Sequence, residues 1–243
     1  MLDLNLNGVD VNDSVESDKA PKGAFVKVLP TDVYDAVVKI VYFTKASSGV
    51  ITANVMLTID GYDRTFPLYI TYKDTGTFTK REGNKTTVIR GYQQLNSLAI
   101  CAVGTPVAKV TQEKRTVEIY NFDVKANVPT SVEALIGLMG KTVKVGIKAV
   151  KKNKRELQNN LWVDTTVTEE KNELDKFYRA TDFKTTSEIM NNTDAIYGPN
   201  WVENNKDKVF ETLSKNPVPP LKPMTQPAGV EGRTADSLFA DDD

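Results

Sequence analysis

The sequence contains no histidine and only one cysteine, Cys101. These shortages exclude imidazole acid–base catalysis, Cys–His nucleophile pairs, internal disulfides and ordinary zinc sites. A Mg²⁺-dependent nuclease site made of carboxylates is the enzyme chemistry that stays open. No Asp/Glu constellation and no glycine-rich phosphate loop calls for one. We therefore expect a protein that is not an enzyme and needs no cofactor or metal, with Cys101 buried as a small apolar residue.

Long apolar runs are missing as well. No stretch approaches the roughly 20 consecutive apolar residues that a membrane-spanning helix needs. Residues 1–5 lack the basic and then apolar layout of a signal peptide. The apolar fraction of 40% and the charged fraction of 26% are ordinary for a globular protein. We expect a cytoplasmic protein without membrane contacts.

Charges of the two signs are sorted along the chain. Residues 22–155 contain 21 Lys and Arg against 10 Asp and Glu, a net charge of +11. Residues 1–21 carry a net charge of −4 and residues 156–243 a net charge of −8, so the formal total of −1 hides a basic middle between acidic ends. A contiguous basic segment is the electrostatic pattern expected of a surface that follows phosphates.

Strand patterns dominate the basic segment. Several runs alternate apolar and polar residues with period two, and turn residues separate them. Asp60-Gly61 predicts a tight hairpin turn, Gly83-Asn84 predicts a smaller basic hairpin, and a further turn is expected near Asn153. The predicted strands are 33–43, 51–59, 64–73, 116–122, 143–149 and 161–167.

Helical period appears twice between these strands. Residues 95–102 carry apolar side chains at i, i+3, i+4 and i+7. Residues 130–139 show the same spacing, open on a capping-box pattern and stop at Gly140. Short peripheral helices are predicted at a second capping box, 185–188, and in the apolar-spaced run 209–213.

Three strands, a helical excursion and two strands are the order of the oligonucleotide-binding (OB) barrel, although many β-rich folds produce similar patterns. We predict a mainly β fold with short α-helices: an OB-like five-stranded Greek-key barrel with helical insertions and a disordered acidic C-terminal tail. The expected organisation is an acidic N-terminal segment (1–21), an OB-like core that binds single-stranded DNA (22–214), and a Pro-rich linker with an acidic interaction tail (215–243).

Single strands are bound by cations that contact phosphates and by aromatic rings on which bases stack. The basic segment holds 12 of the 20 aromatic residues of the chain, several of them beside cations. Tyr69 is the best stacking candidate, because it opposes the apolar face of Phe66, Leu68 and Ile70. For each ring a core position is the alternative, and for the Lys-rich run a solvated turn. The residues predicted to bind single-stranded DNA are Lys39, Tyr42, Tyr69, Tyr72, Lys73, Phe78, Lys80, Arg81, Lys85, Arg90, Tyr92, Lys144, Lys148, Lys151, Lys152, Lys154 and Arg155.

The C-terminal residues form an acidic peptide with a hydrophobic pair. A tethered anion has an effective concentration on the order of mM at its own groove, so it should compete with weakly bound nucleic acid. A merely solubilising terminus is the alternative. The residues predicted to bind partners are Asp236, Leu238, Phe239, Asp241, Asp242 and Asp243.

A basic barrel, a Pro-rich linker and an acidic peptide with an aromatic residue form a layout that resembles the replication-type single-stranded-DNA-binding proteins. The chain is similar in plan to the bacteriophage members of the T7 type, over its whole length but without a strict motif. The resemblance implies a tail that recruits polymerase, helicase-primase or recombination proteins in the host cytoplasm. Leu238-Phe239 precede the acidic run here, whereas T7-type tails usually end in the aromatic residue. The zinc site and basic arm of T4-type members are missing.

No helix-turn-helix, zinc-finger or basic-zipper pattern is present, so we expect sequence-tolerant binding. Two other classes stay open: a Mg²⁺-dependent nuclease and a β-rich phage structural protein. The sequence leaves the site size, the preference for DNA or RNA and the oligomeric state open, a homodimer included.

Overall fold

A computed structural model describes residues 27–83, 85–121, 124–159 and 161–221. This part of the chain is mainly β, with an eight-stranded, largely antiparallel sheet and a separate two-stranded hairpin. The strands are β1 (Asp32–Lys45), β2 (Ile51–Ile59), β3 (Tyr62–Tyr69), β4 (Thr79–Glu82), β5 (Lys85–Val88), β6 (Gln112–Asn121), β7 (Ala126–Leu135), β8 (Thr142–Gln158), β9 (Leu161–Arg179) and β10 (Val209–Thr212). The helices are α1 (Arg90–Val103), α2 (Thr186–Asn191) and α3 (Tyr197–Asn205).

The first three strands form the predicted meander. β1 pairs with β2, and β2 pairs with β3, both antiparallel. Asp60 and Gly61 turn the chain between β2 and β3 with φ values of 51° and 80°, the positive φ pair that a tight hairpin requires. Val55 and Leu57 are fully buried, so one face of β2 lies against the core as its alternation predicts.

β8 connects the meander to the rest of the sheet. One edge of β8 pairs with β1 and, further along, with the parallel strand β10. The other edge pairs with β9 over nearly its whole length. The sheet therefore runs in the order β3-β2-β1-β8-β9, and among the described strands no pairing joins β3 to β9. The prediction of a mainly β fold is confirmed, whereas no sheet in the described part closes into a barrel.

Helix α1 confirms the first helical pattern. Its apolar side, which includes Leu95, Leu98 and Ala99, is buried in the main core, together with residues of β1, β2, β3, β8 and β9. Cys101 on the same helix is 4% exposed, and burial raises the pKa of its thiol to about 11. The second capping box is also confirmed: Glu188 N–H donates to Thr185 Oγ1, and Thr185 N–H donates to Glu188 Oε2.

The helix predicted over 130–139 is wrong. These residues belong mostly to β7, which pairs with β6 over ten residue pairs, and only Ile136–Leu138 form a 3-10 turn. A helix of this length is marginal by itself. The alternating residues Val128, Thr130 and Val132 fit a strand, and the ladder with β6 provides hydrogen bonds to the backbone throughout.

The turn predicted near Asn153 is also wrong. Asn153 lies inside β8, next to a bulge, and is 8% exposed. Its side-chain amide donates to Thr165 O at 2.7 Å and accepts from Ser214 N–H at 2.6 Å. These bonds keep β8 extended as far as Gln158, and the chain turns at Asn159, whose φ of 51° suits an asparagine.

Two C-terminal segments differ from the expectation. Residues 209–212 form β10 and not a helix, because β8 leaves an edge free beyond its pairing with β1. The Pro-rich segment does not begin as a free linker: Val218 N–H donates to Asp164 O at 2.9 Å, and Thr166 N–H donates to Val218 O at 2.8 Å. Gln158 Nε2 adds a bond of 3.0 Å to Pro219 O.

Candidate nucleic-acid interface

The two edge strands β3 and β9 border a cleft of about 890 Å³. β3 contributes residues 63–69 to its lining and β9 contributes residues 170–174. The lining of the cleft also includes Arg90 and Gln94 of α1 and Lys152 of β8. We call this space the β3–β9 cleft. It lies between two sheet edges, and a hydrogen bond between Arg64 of β3 and Asn172 of β9 crosses it.

Arg64 and Asn172 connect the two walls of the cleft. Arg64 Nη1 donates to Asn172 Oδ1 at 3.3 Å, and Arg64 Nη2 donates to Lys27 O at 2.9 Å. Asn172 in turn binds the backbone N–H and C=O of Leu29, each at 2.9 Å. Burial lowers the pKa of Arg64, and no carboxylate in the described residues forms an ion pair with it. The Arg64 guanidinium therefore lines the cleft without an ion-paired carboxylate, and both of its Nη atoms already donate within the protein.

An aromatic patch, defined as Tyr69, Phe78 and Tyr92, lies at the α1 end of the cleft. Tyr69 is 62% exposed and Phe78 is 42% exposed. The Phe78 and Tyr92 rings stack with centroids 4.7 Å apart and planes inclined by 24°. A Cβ on Gly91 would lie 2.1 Å from Tyr69 O, so the first turn of α1 rests directly on the end of β3. This contact brings the three rings into one region.

Cations surround the aromatic patch. Arg90 is exposed over 71% of its side chain, although one of its nitrogens lies 3.0 Å from Asp175 Oδ1. Lys73 is exposed, and Arg81 Nε donates to Gly83 O at 3.2 Å. Lys80 lies 3.6 Å from Asp74. Tyr72, also predicted to bind, is partly buried here, and the side chain of Lys85 lies outside the described residues.

Three cations of β8, and Lys171 of β9 itself, pair with a carboxylate row on β9, defined as Asp164, Glu169, Glu173 and Asp175. Because β9 runs antiparallel to β8, the acidic part of the sequence lies against the basic part. The ion pairs are Arg155 with Asp164 at 3.5 Å, Lys171 with Glu169 at 2.6 Å, Lys152 with Glu173 at 3.0 Å, and Lys148 with Asp175 at 3.0 Å. The described residues still hold 27 Lys and Arg against 21 Asp and Glu, a net charge of +6.

Asp175 is the buried member of this row. Its side chain is 12% exposed and accepts hydrogen bonds from Arg90, Lys148 and Trp201 Nε1, the last at 2.8 Å. Burial by itself would raise the pKa of this carboxyl, but the bond to Lys148, with Trp201 and Arg90, holds the pKa below its ordinary value. Asp175 therefore links α1, β8, β9 and α3 as a structural group.

A second hollow, of about 660 Å³, continues from the cleft along the β8–β9 hairpin. The two spaces share Lys152, Lys171 and Glu173. Trp162 lines the hollow and is 61% exposed. Lys154, exposed in this hollow, has no carboxylate partner within the described ranges.

Several residues predicted to bind DNA lie away from the cleft. Tyr42 is only 7% exposed and packs with Val132 and Ala134 beneath β6 and β7, so it is a core residue and not a stacking ring. The remaining cations in this group are ion-paired to other parts of the surface. They are Lys39 with Asp63 at the rim of the cleft, Lys144 with Asp35 at 2.6 Å and Lys151 with Glu211 at 3.5 Å.

Three residues of the two spaces were missed in the sequence: Arg64, Trp162 and Lys171. Trp162 has an apolar residue on each side, so the local pattern is that of an ordinary strand and does not mark Trp162 as a binding residue. Lys171 lies in the acidic part of the chain, where a charge count directs attention away from cations. Arg64 could have been found, since it follows the Asp60-Gly61 turn on the strand that carries Tyr69.

Within the described ranges no group of three or more His, Cys, Asp or Glu residues is arranged to hold a metal ion. No helix in this part of the chain is long and apolar enough to cross a membrane. The predicted partner-binding residues 236–243 and the acidic segment 1–21 lie outside the described residues. No protein-family model matches the sequence, and no curated protein matches it either.

Proposed function

We propose that the chain is a sequence-tolerant single-stranded-DNA-binding protein that covers unpaired template during replication, recombination or repair. The observation that carries this proposal is the aromatic patch, in which the exposed rings of Tyr69 and Phe78 lie near Arg90 at the α1 end of the β3–β9 cleft. Rings provide stacking for any base and guanidinium groups contact any phosphate, so the combination binds single strands without reading their sequence. In a duplex the faces of the bases are already stacked on one another, so no base face is free to stack on the rings.

The strand order supports an OB-like barrel that is open on one side. In that fold a helix follows the third strand, the fourth strand pairs with the first, and the fifth strand pairs with the fourth. The order β3-β2-β1-β8-β9, with α1 after β3, has this connectivity, and the opening falls between β3 and β9. OB folds bind oligonucleotides on the face of their second and third strands and on the loops beside it. The corresponding strands here are β2 and β3, of which β3 borders the cleft, and the corresponding loop between the fourth and fifth strands is the turn of the β8–β9 hairpin.

The acidic C-terminal residues complete the proposal. By resemblance to the phage proteins, the tail recruits replication or recombination enzymes and competes with DNA for the groove. Deleting residues 231–243 should therefore tighten DNA binding at low salt, because a tethered anion is removed. Unchanged or weaker binding would exclude the tail as a competitor while leaving its recruitment of partners to be measured by pull-down.

Titration of fluorescent oligo-dT and of a duplex of equal length, each at two salt concentrations, tests the function. We expect the oligo-dT to bind more tightly, with a log–log salt slope of about −0.7 per phosphate contact. Equal affinity for the duplex, or no binding at low salt, would contradict the proposal. Cleavage of the oligonucleotide in Mg²⁺ that EDTA abolishes would favour a nuclease. Large oligomers without DNA binding would favour a structural protein.

A further inference from the structure

Three groove cations on the β8–β9 hairpin are already ion-paired, whereas Lys154 beside them has no carboxylate partner among the described residues. Lys152 and Lys171, which line both the cleft and the second hollow, pair with Glu173 and Glu169 at 3.0 and 2.6 Å. Arg155, in the second hollow, pairs with Asp164 at 3.5 Å. Each of these cations is therefore already neutralised by a carboxylate on β9.

These three pairs are exposed to solvent, unlike the pair at Asp175. The carboxylate side chains of Asp164, Glu169 and Glu173 are 43%, 29% and 51% exposed, against 12% for Asp175. Exposed ion pairs contribute little to stability, so a competing anion can replace the carboxylate at low cost. At Asp175 three hydrogen bonds, one of them from Trp201, resist such a replacement.

We propose that Asp164, Glu169 and Glu173 are built-in competitors of the nucleic-acid backbone. Each holds a groove cation that a phosphate has to take over, so binding exchanges one ion pair for another. This inference rests on the proposed function and adds to it the residues that limit its affinity. Glu173 is the central one, since it lies where the cleft and the second hollow meet.

The proposal separates two sources of affinity along the groove. At the aromatic patch stacking acts directly, and further along the cleft Arg64 has no carboxylate partner among the described residues that a phosphate would have to replace. Along the hairpin, the gain from a phosphate is reduced by the loss of a carboxylate. Removing the carboxylates should raise affinity and steepen the salt dependence, because each released cation adds about 0.7 to the slope for single strands.

The double variant Glu169→Gln/Glu173→Gln tests this. Its matched control is Asp35→Asn/Glu211→Gln, which removes two carboxylates that pair with β8 lysines, as Glu173 does, but line neither the cleft nor the second hollow. Both variants change the net charge by the same amount. Fluorescence anisotropy with oligo-dT at several salt concentrations gives the affinity and the slope, and thermal melting verifies the fold.

We expect the groove variant to bind oligo-dT about 1.4- to fivefold more tightly per removed carboxylate, the range to which exposed ion-pair energies correspond, with a slope steeper by about 1.4. The control variant should behave like the wild type. An equal gain in both variants would mean that only net charge matters and would overturn the proposal, as would no change in either. If the wild type itself binds no oligo-dT, the proposed function fails as well.

Discussion

The aromatic patch and the β8–β9 hairpin are both rich in cations, yet they are built differently. At the patch Tyr69 and Phe78 are exposed while Tyr92 is partly buried against the core, and Lys73 and Arg81 have no carboxylate partner in the described part of the chain. Along the hairpin, Lys148, Lys152 and Arg155 each face a carboxylate of β9. The comparison teaches that the density of cations along a strand does not measure the charge that a ligand meets.

The fold brings the basic and acidic segments of the sequence next to each other. The basic run around Lys151 lies in β8, and the acidic segment that begins at Glu156 supplies β9, its antiparallel neighbour. Pairing the two strands brings opposite charges within ion-pair distance. The patch escapes this neutralisation only in part: Arg90 of α1 still pairs with Asp175 of β9, whereas Lys73 and Arg81 come from the loop and the hairpin before α1, which do not pair with β9.

The largest effect is expected from Gly91→Ala, which disrupts the contact between α1 and the end of β3 at the patch. The new Cβ would lie 2.1 Å from Tyr69 O, a backbone atom that cannot move alone. We predict a loss of about 3 kcal/mol in the free energy of unfolding, measured by urea denaturation. Gly146→Ala is the control, since its nearest neighbours lie at 3.5 Å, and it should cost less than about 1 kcal/mol. Equal effects would mean that α1 does not rest on β3 as described.

Asp175→Asn probes the one carboxylate of the row that we regard as structural. The loss of charge weakens the bonds from Lys148, Arg90 and Trp201, so we predict a destabilisation of about 2 kcal/mol at neutral pH. Because the folded-state pKa of Asp175 is depressed, this stability is present above the unfolded-state pKa of the carboxyl. It is lost as the pH falls through the folded-state pKa. Urea curves from pH 7 down to pH 3 should show the wild type and the variant converging, and a constant difference would contradict the assignment.

Tyr69→Ala sharpens the comparison on the side of the rings. Stacking is worth about 1–3 kcal/mol per base, so the affinity for oligo-dT should fall by about tenfold. Tyr62→Ala is a matched control on the same strand, 52% exposed but outside the cleft lining. It should leave the affinity unchanged. A similar loss in both variants would remove the patch from the binding site.

The smallest expected effect is a difference in salt slope between cations without a carboxylate partner in the described residues and cations that are ion-paired. Replacing Lys73 and Arg81 by Ala should flatten the salt slope for oligo-dT by about 1.4, two contacts at about 0.7 each. Replacing Lys151 and Arg155, both ion-paired, should flatten it less. The two slopes come from titrations at four or more salt concentrations. A larger change from the paired residues would invert the comparison drawn above.

Local patterns predicted the meander and α1 because both are decided by near neighbours. β2 matches its prediction over 51–59, and Tyr69 is exposed opposite the buried Phe66 and Leu68 as its alternation indicates. The segment 130–139 was not recognised as a strand, although its partner β6 is the preceding strand, because its contact with Tyr42 of β1 is distant in sequence. Tertiary pairing decides such ambiguous segments.

The sequence predicted the kind of candidate site but only some of its residues. Tyr69, Phe78, Tyr92 and Arg90 lie together, as the rings beside cations indicate. Tyr42 does not join them, because a bulge follows Val38 in β1 and Tyr42 packs under β7. The ion pairs of β9 could not be foreseen without the register of two long strands. That register depends on Asn153, which keeps β8 extended where a turn was expected.

The most direct test of the account is photo-cross-linking of the protein to an oligonucleotide that carries 5-iododeoxyuridine, with the cross-linked residues mapped by mass spectrometry. If the aromatic patch binds unpaired DNA by stacking, cross-links should map to Tyr69 and Phe78 and should vanish in excess unlabelled oligo-dT. Cross-links confined to rings away from the cleft, such as Tyr62 and Tyr120, would contradict the account.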